Sequence, residues 1–63
     1  MKRTTMSDLE KKIDAHNNGE KVERGCFYAY DYVTGNWTAA DNRTGEMWLE
    51  VFPTKEAAKE WLA

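Results

Sequence analysis

The chain has almost none of the residues that staple a small fold or arm a catalytic site. It holds one cysteine, one histidine and one proline in 63 residues. A lone cysteine, Cys26, excludes an internal disulfide, and with His16 alone beside it the set is too small for a Cys/His zinc site. No apolar run approaches the roughly 18 residues of a membrane-spanning helix. Met1-Lys2-Arg3 leads into a polar helix and not into an export signal, so a cytoplasmic setting is expected. Positive charge is also short. Residues 1–30 carry six basic and five acidic groups, residues 31–63 three basic and six acidic, and the net charge is −2. Nucleic-acid binding rests first on cationic neutralisation of phosphates, so that class is disfavoured, with a patch at Lys2, Arg3, Lys11 and Lys12 left to support it.

The catalytic repertoire is equally thin. A cysteine nucleophile needs a histidine in hydrogen-bond contact and a third group to orient it. Cys26 lies in a strand-like stretch and reads as a small buried hydrophobe. His16 reads as a helix-end residue near the negative pole of the helix dipole. Glu46 and Glu50 read as solvated strand charges, not as an acid/base pair. The expectation is a non-enzymatic protein with no cofactor and no metal.

What the chain does have is aromatic: three Trp, three Tyr and two Phe. A composition of 41% hydrophobic and 32% charged residues fits a folded chain and not a disordered one. The length allows one domain, residues 1–63, with residues 1–6 as a flexible lead. So short a chain buries only roughly 60% of its unfolded surface. Without disulfides it must rely on an efficient core, a partner or self-association.

Ser7-Asp8-Leu9-Glu10 fits a helix-capping box, and Met6, Leu9, Ile13 and His16 follow at helical spacing. This predicts a helix over 8–17, ended by Asn17-Asn18-Gly19. Strands are predicted over 22–31, 36–41 and 46–52, where β-branched and aromatic residues concentrate. Pro53 stops the last one, and Thr54 caps a final helix whose apolar face is Ala57, Ala58, Trp61 and Leu62. The predicted class is α+β: helix, three-stranded antiparallel meander, helix.

Between the strands the pattern D-x-x-T-G-x occurs twice, at residues 31–36 and 41–46. Its aspartate can accept from the backbone two residues on, and its glycine supplies the positive φ that closes a hairpin loop. Phosphate loops need more glycines and a lysine before a helix, and a calcium loop needs about five oxygen ligands. Both segments therefore read as plain turns, as do the acceptor-like triplets Asn36-Trp37-Thr38 and Asn42-Arg43-Thr44.

Four-residue loops would set Tyr30 opposite Trp37, Tyr28 opposite Ala39, Ala39 opposite Trp48 and Trp37 opposite Glu50. Alternation then gives one aliphatic face, with Phe27, Ala29, Thr38, Ala40, Met47, Leu49 and Val51. The other carries Tyr28, Tyr30, Trp37, Trp48 and Glu50, with Asp41, Glu46 and Phe52 at its margins. A five-residue bulged first loop would instead move Trp37 to the aliphatic side, while Tyr28, Tyr30 and Tyr32 share the other. Two helices could cover one face or part of both, so the tryptophans are either core under Trp61 or an open platform.

Three resemblances arise here. Phe52-Pro53-Thr54-Lys55-Glu56-Ala57-Ala58 with the strands before it resembles the arm-type DNA-binding domains of phage and transposon integrases, although Glu46 and Glu50 stand where those domains present a basic sheet. The helix–strands–helix order is similar to double-stranded-RNA-binding domains, with Lys55 alone in place of their lysine cluster. Trp37 through Trp48, with Asn42 and Thr44, looks like part of a WW module, which binds proline-rich peptides. No functional residue carries over from any of the three.

The expected function is a small protein-binding module, of the accessory or inhibitor type found in phage and mobile elements. Its surface would be Tyr28, Tyr30, Trp37, Trp48 and Glu50, facing a basic or proline-rich protein partner. The alternatives are a DNA-binding domain using the sheet or the basic N-terminal segment, and a homodimer that buries the aromatic face.

Overall fold

The computed structural model describes residues 1–63. Its elements are β1 (Lys2–Arg3), α1 (Met6–Asn17), β2 (Cys26–Tyr30), β3 (Trp37–Asp41), β4 (Trp48–Phe52) and α2 (Lys55–Leu62). The fold is α+β, with a four-stranded sheet ordered β1-β2-β3-β4 in which only the β1–β2 pair is parallel. No helix is long and apolar enough to cross a membrane.

The lead segment differs from expectation. Lys2 and Arg3 pair with Phe27 and Tyr28 along the free edge of β2. The α1 helix starts two residues early because Thr5, not Ser7, is the cap: its extended backbone lets Oγ1 accept from the Asp8 N–H at 3.1 Å. That start adds Met6 to the buried stripe of Leu9 and Ile13. At the other end Gly19 (φ +76°) closes α1 in the way glycine permits. Its N–H donates to the His16 carbonyl at 3.1 Å, and the Glu20 N–H to the Ala15 carbonyl at 2.8 Å.

The first hairpin takes the four-residue loop. Asp31 N–H donates to the Asn36 carbonyl at 2.8 Å, and Tyr30 pairs with Trp37. Asp31 Oδ1 accepts from Val33 N–H at 2.9 Å and Asp41 Oδ1 from Arg43 N–H at 3.0 Å, so both repeats make the same aspartate turn. Gly35 and Gly45 have φ of +75° and +96°.

The second hairpin departs from the expected register. Asp41 pairs with Trp48 and Ala39 with Glu50, a slip of two residues. Asn42 is the cause. Its N–H donates to the Gly25 carbonyl (3.0 Å), its Oδ1 accepts from Gly25 N–H (2.8 Å), and its Nδ2 donates to the Glu23 carbonyl (2.9 Å). The first residue of the loop is thereby committed to the approach to β2, and the chain needs a longer return. An even slip leaves every side chain on its expected face.

The helices lie on opposite faces of the sheet. Leu9 of α1 packs with Phe27, Ala29 and Ala40, while Ala58 and Leu62 of α2 pack with Cys26 and Ala39. Four alanines at these contacts allow each helix to approach the sheet closely. Cys26 is the small buried hydrophobe expected, its Sγ 3.8 Å from the Leu62 carbonyl. Neither helix covers the aliphatic side of β4, where Leu49 and Val51 are exposed.

The Asp41 carboxyl is held below its ordinary value of 3.8, first by the hydrogen bond from the Arg43 guanidinium, then by that from the Arg43 N–H. A depressed carboxyl stabilises the fold above 3.8, and the contribution disappears as pH falls through the depressed value. The Asp41→Asn variant is therefore expected to show a shallower acid limb in urea titrations between pH of about 2 and 5, with a small amplitude because the pair is exposed. An acid limb as steep as that of the wild type would contradict this.

Candidate functional site

All five expected contact residues project from the α2 side of the sheet, in three rows set by the register. Cys26, Asp41 and Trp48 form one row. Arg3, Tyr28, Ala39 and Glu50 form the next, and Tyr30, Trp37 and Phe52 the third. The α2 helix lies across the middle, over Ala39 and Cys26. The aromatic face is therefore divided, not continuous.

Three of the five come together. Tyr28 and Trp37 have ring centroids 6.1 Å apart, Tyr30 and Trp37 5.1 Å apart. Tilted pairs at these separations are favoured by the quadrupoles of the rings. Trp48 does not join them. It stands four strand positions from the Trp37 row, roughly 13 Å away, and is 56% exposed. Glu50 is exposed in the row of Tyr28, two strands away from it, and one row from Tyr30 and Trp37. The expected acid-edged platform thus resolves into an aromatic end, a lone carboxylate on β4 and an isolated tryptophan.

Sequence reasoning left out three members of the aromatic end. Tyr32, 87% exposed, meets Tyr30 edge-on at 4.9 Å. Arg3 holds its guanidinium 5.1 Å from the centre of the Trp37 ring, in cation–π range, having been carried there by the β1–β2 pairing. Trp61 packs on Phe52 at 6.0 Å and extends the cluster onto α2. Tyr32 could have been found by extending the alternation of Tyr28 and Tyr30 into the loop. Arg3 had no such signal, since two residues are too few for a strand pattern.

Where the chain passes from β1 into α1, a shallow cavity of about 300 Å³ opens between Tyr30, Tyr32 and residues 3–7. Its lining combines two aromatic residues and Met6 with Arg3 and the hydroxyl-bearing Thr4, Thr5 and Ser7. An extended apolar segment could stack on the rings while its carbonyls accept from those donors. Comparison of the chain with protein-family models, curated proteins and solved structures finds no match, so the chemistry of the site rests on its own geometry.

Proposed function

We propose that this is a small non-enzymatic protein-binding module that docks a partner on the aromatic end of its sheet, through Tyr30, Tyr32 and Trp37 with Arg3 beside them. The observation that carries the reading is the T-shaped pair of half-buried Tyr30 and exposed Tyr32 next to the Trp37–Arg3 stack, beside an open cavity. Tyr and Trp offer large contact area at little rotamer cost, and grooves between such rings suit the preformed helix of proline-rich segments. Of the two partner types expected, the proline-rich one fits better, because the charged group stacked on the rings is the Arg3 guanidinium, while Glu50 lies two strands from Tyr28 on β4.

The test is capture of a partner from a cell extract by the wild type beside two single variants. Tyr30→Ala is expected to weaken capture roughly 30-fold, as for a hot spot of about 2 kcal/mol. Trp48→Ala is expected to leave it within a factor of about two. The reverse order would move the site to the other end of the sheet.

A second reading draws on the same β1 strand. Arg3 stacked on Trp37, with Lys2 next to it on the strand, supplies the ingredients of a single-strand nucleic-acid platform. Sub-micromolar affinity for oligonucleotides, falling steeply with salt, would favour it over the protein-binding reading.

A further inference from the structure

The sheet has two edges of unequal character. At one side β1 is two residues long and consists of Lys2 and Arg3. At the other, β4 is Trp-Leu-Glu-Val-Phe, without a lysine, a proline or a bulge. Charges, prolines and bulges are the usual means of blunting an edge.

The direction of the β4 backbone follows from the ladder. Asn42 N–H donates to Gly25 on the β2 side, so by alternation Thr38 and Ala40 also bond to β2, and Trp37, Ala39 and Asp41 bond to β4. Their partners Trp48, Glu50 and Phe52 face inward, and the N–H and C=O of Leu49 and Val51 point out of the sheet. In agreement, the Val51 N–H turns to the adjacent Glu50 carboxylate at 3.3 Å, a makeshift acceptor. The side chains of Leu49 and Val51 are 45% and 54% exposed on the side that α1 leaves bare.

We propose that β4 is a dimerisation edge, on which a second copy of this chain adds its own β4 antiparallel to form a continuous eight-stranded sheet. An outward residue must face an outward residue, which leaves few registers. Centring on Glu50 would set the two Glu50 carboxylates directly opposite each other, an unfavourable pair. Centring on Val51 would bring Pro53, which has no N–H, opposite Leu49. Centring on Leu49 avoids both. Leu49 then faces its own copy, Glu50 faces Trp48, and Val51 faces Met47, in a ladder of about six main-chain hydrogen bonds. Leu49, Val51 and Met47 of both copies form one apolar stripe. The dyad closes the assembly at two, because the short cationic β1 gives a third copy nothing to extend.

The outward edge of Leu49 and Val51 includes none of the docking residues Arg3, Tyr30, Tyr32 and Trp37, so its test does not depend on the docking reading. Sedimentation velocity from about 5 to 500 µM is expected to show a reversible monomer–dimer equilibrium for the wild type. Leu49→Lys is expected to remain monomeric throughout, with an unchanged circular dichroism spectrum. Glu50→Thr, which removes two carboxylates near the dyad, is expected to lower the dissociation constant several-fold. A wild type that stays monomeric to the highest concentration overturns the proposal. So does a dimer that Leu49→Lys leaves intact.

Discussion

With Leu9 replaced by alanine, the protein is expected to be largely unfolded at room temperature. Leu9 is the one fully buried residue of α1, and it fills the space between Phe27, Ala29 and Ala40. Removing a leucine to alanine in such a site costs about 2–5 kcal/mol, through lost transfer energy and the cavity left behind. A chain of this length with no disulfide rarely commands more than about 3–5 kcal/mol in total. Ala29 and Ala40 are held on a hydrogen-bonded sheet and cannot move into the gap, which leaves Met6, Ile13 and Met47 at its margin to fill it only in part. Nor can α1 persist undocked, because a helix of 12 residues is marginal alone in water. Leu9→Met, which nearly conserves volume, should cost less than about 1.5 kcal/mol. Urea titration by circular dichroism separates the outcomes. A Leu9→Ala protein within about 1 kcal/mol of the wild type would show that α1 contributes little to the core.

The second large effect is expected at Asn42, the one buried polar side chain. Its amide satisfies the Gly25 N–H and the Glu23 carbonyl together, both on the chain just before β2. Truncation to alanine leaves two partly buried backbone groups without partners, at about 1–3 kcal/mol each. The expected loss is about 2–4 kcal/mol, with the 23–25 segment and the second loop losing hydrogen-exchange protection first. Asn42→Asp provides a sharper check. The carboxylate keeps the acceptor for Gly25 N–H but faces the Glu23 carbonyl with no donor. Burial raises the carboxyl above its ordinary range, so this variant should gain stability as pH falls through that raised value. A stability that instead rises with pH would show that the Gly25 N–H outweighs burial and the Glu23 carbonyl in setting this carboxyl.

How far these features were legible in the sequence depends on the reach of the signal. The apolar stripe of α1, the Ala58–Leu62 face of α2 and the aspartate turns are local, and periodicity or turn chemistry reveals them. The register of the first hairpin was narrowed to two forms, because its loop bonds only to itself, and the pairs among Asp31, Val33, Gly35 and Asn36 select the four-residue one. The second hairpin uses the same letters, yet Asn42 bonds to residues about twenty positions earlier, and no local pattern carries that. The parity of the sheet faces survived because the slip was by two. The aromatic end was only half visible for a similar reason. Tyr28, Tyr30 and Trp37 follow from alternation, but the Arg3 stack on Trp37 requires a parallel pairing across the first helix. The slip of the second hairpin takes Glu50 from beside Trp37, and the β1–β2 pairing puts the Arg3 guanidinium there instead.

Docking at the aromatic end of the sheet is open to amide chemical-shift mapping, with labelled protein and a captured partner or a proline-rich peptide. The largest shifts are expected on Arg3, Tyr30, Tyr32 and Trp37, with the Trp37 indole N–H among them and Trp48 unmoved. Shifts centred on Trp48, or on the outer face of α1 at Lys11 and Glu10, would contradict it.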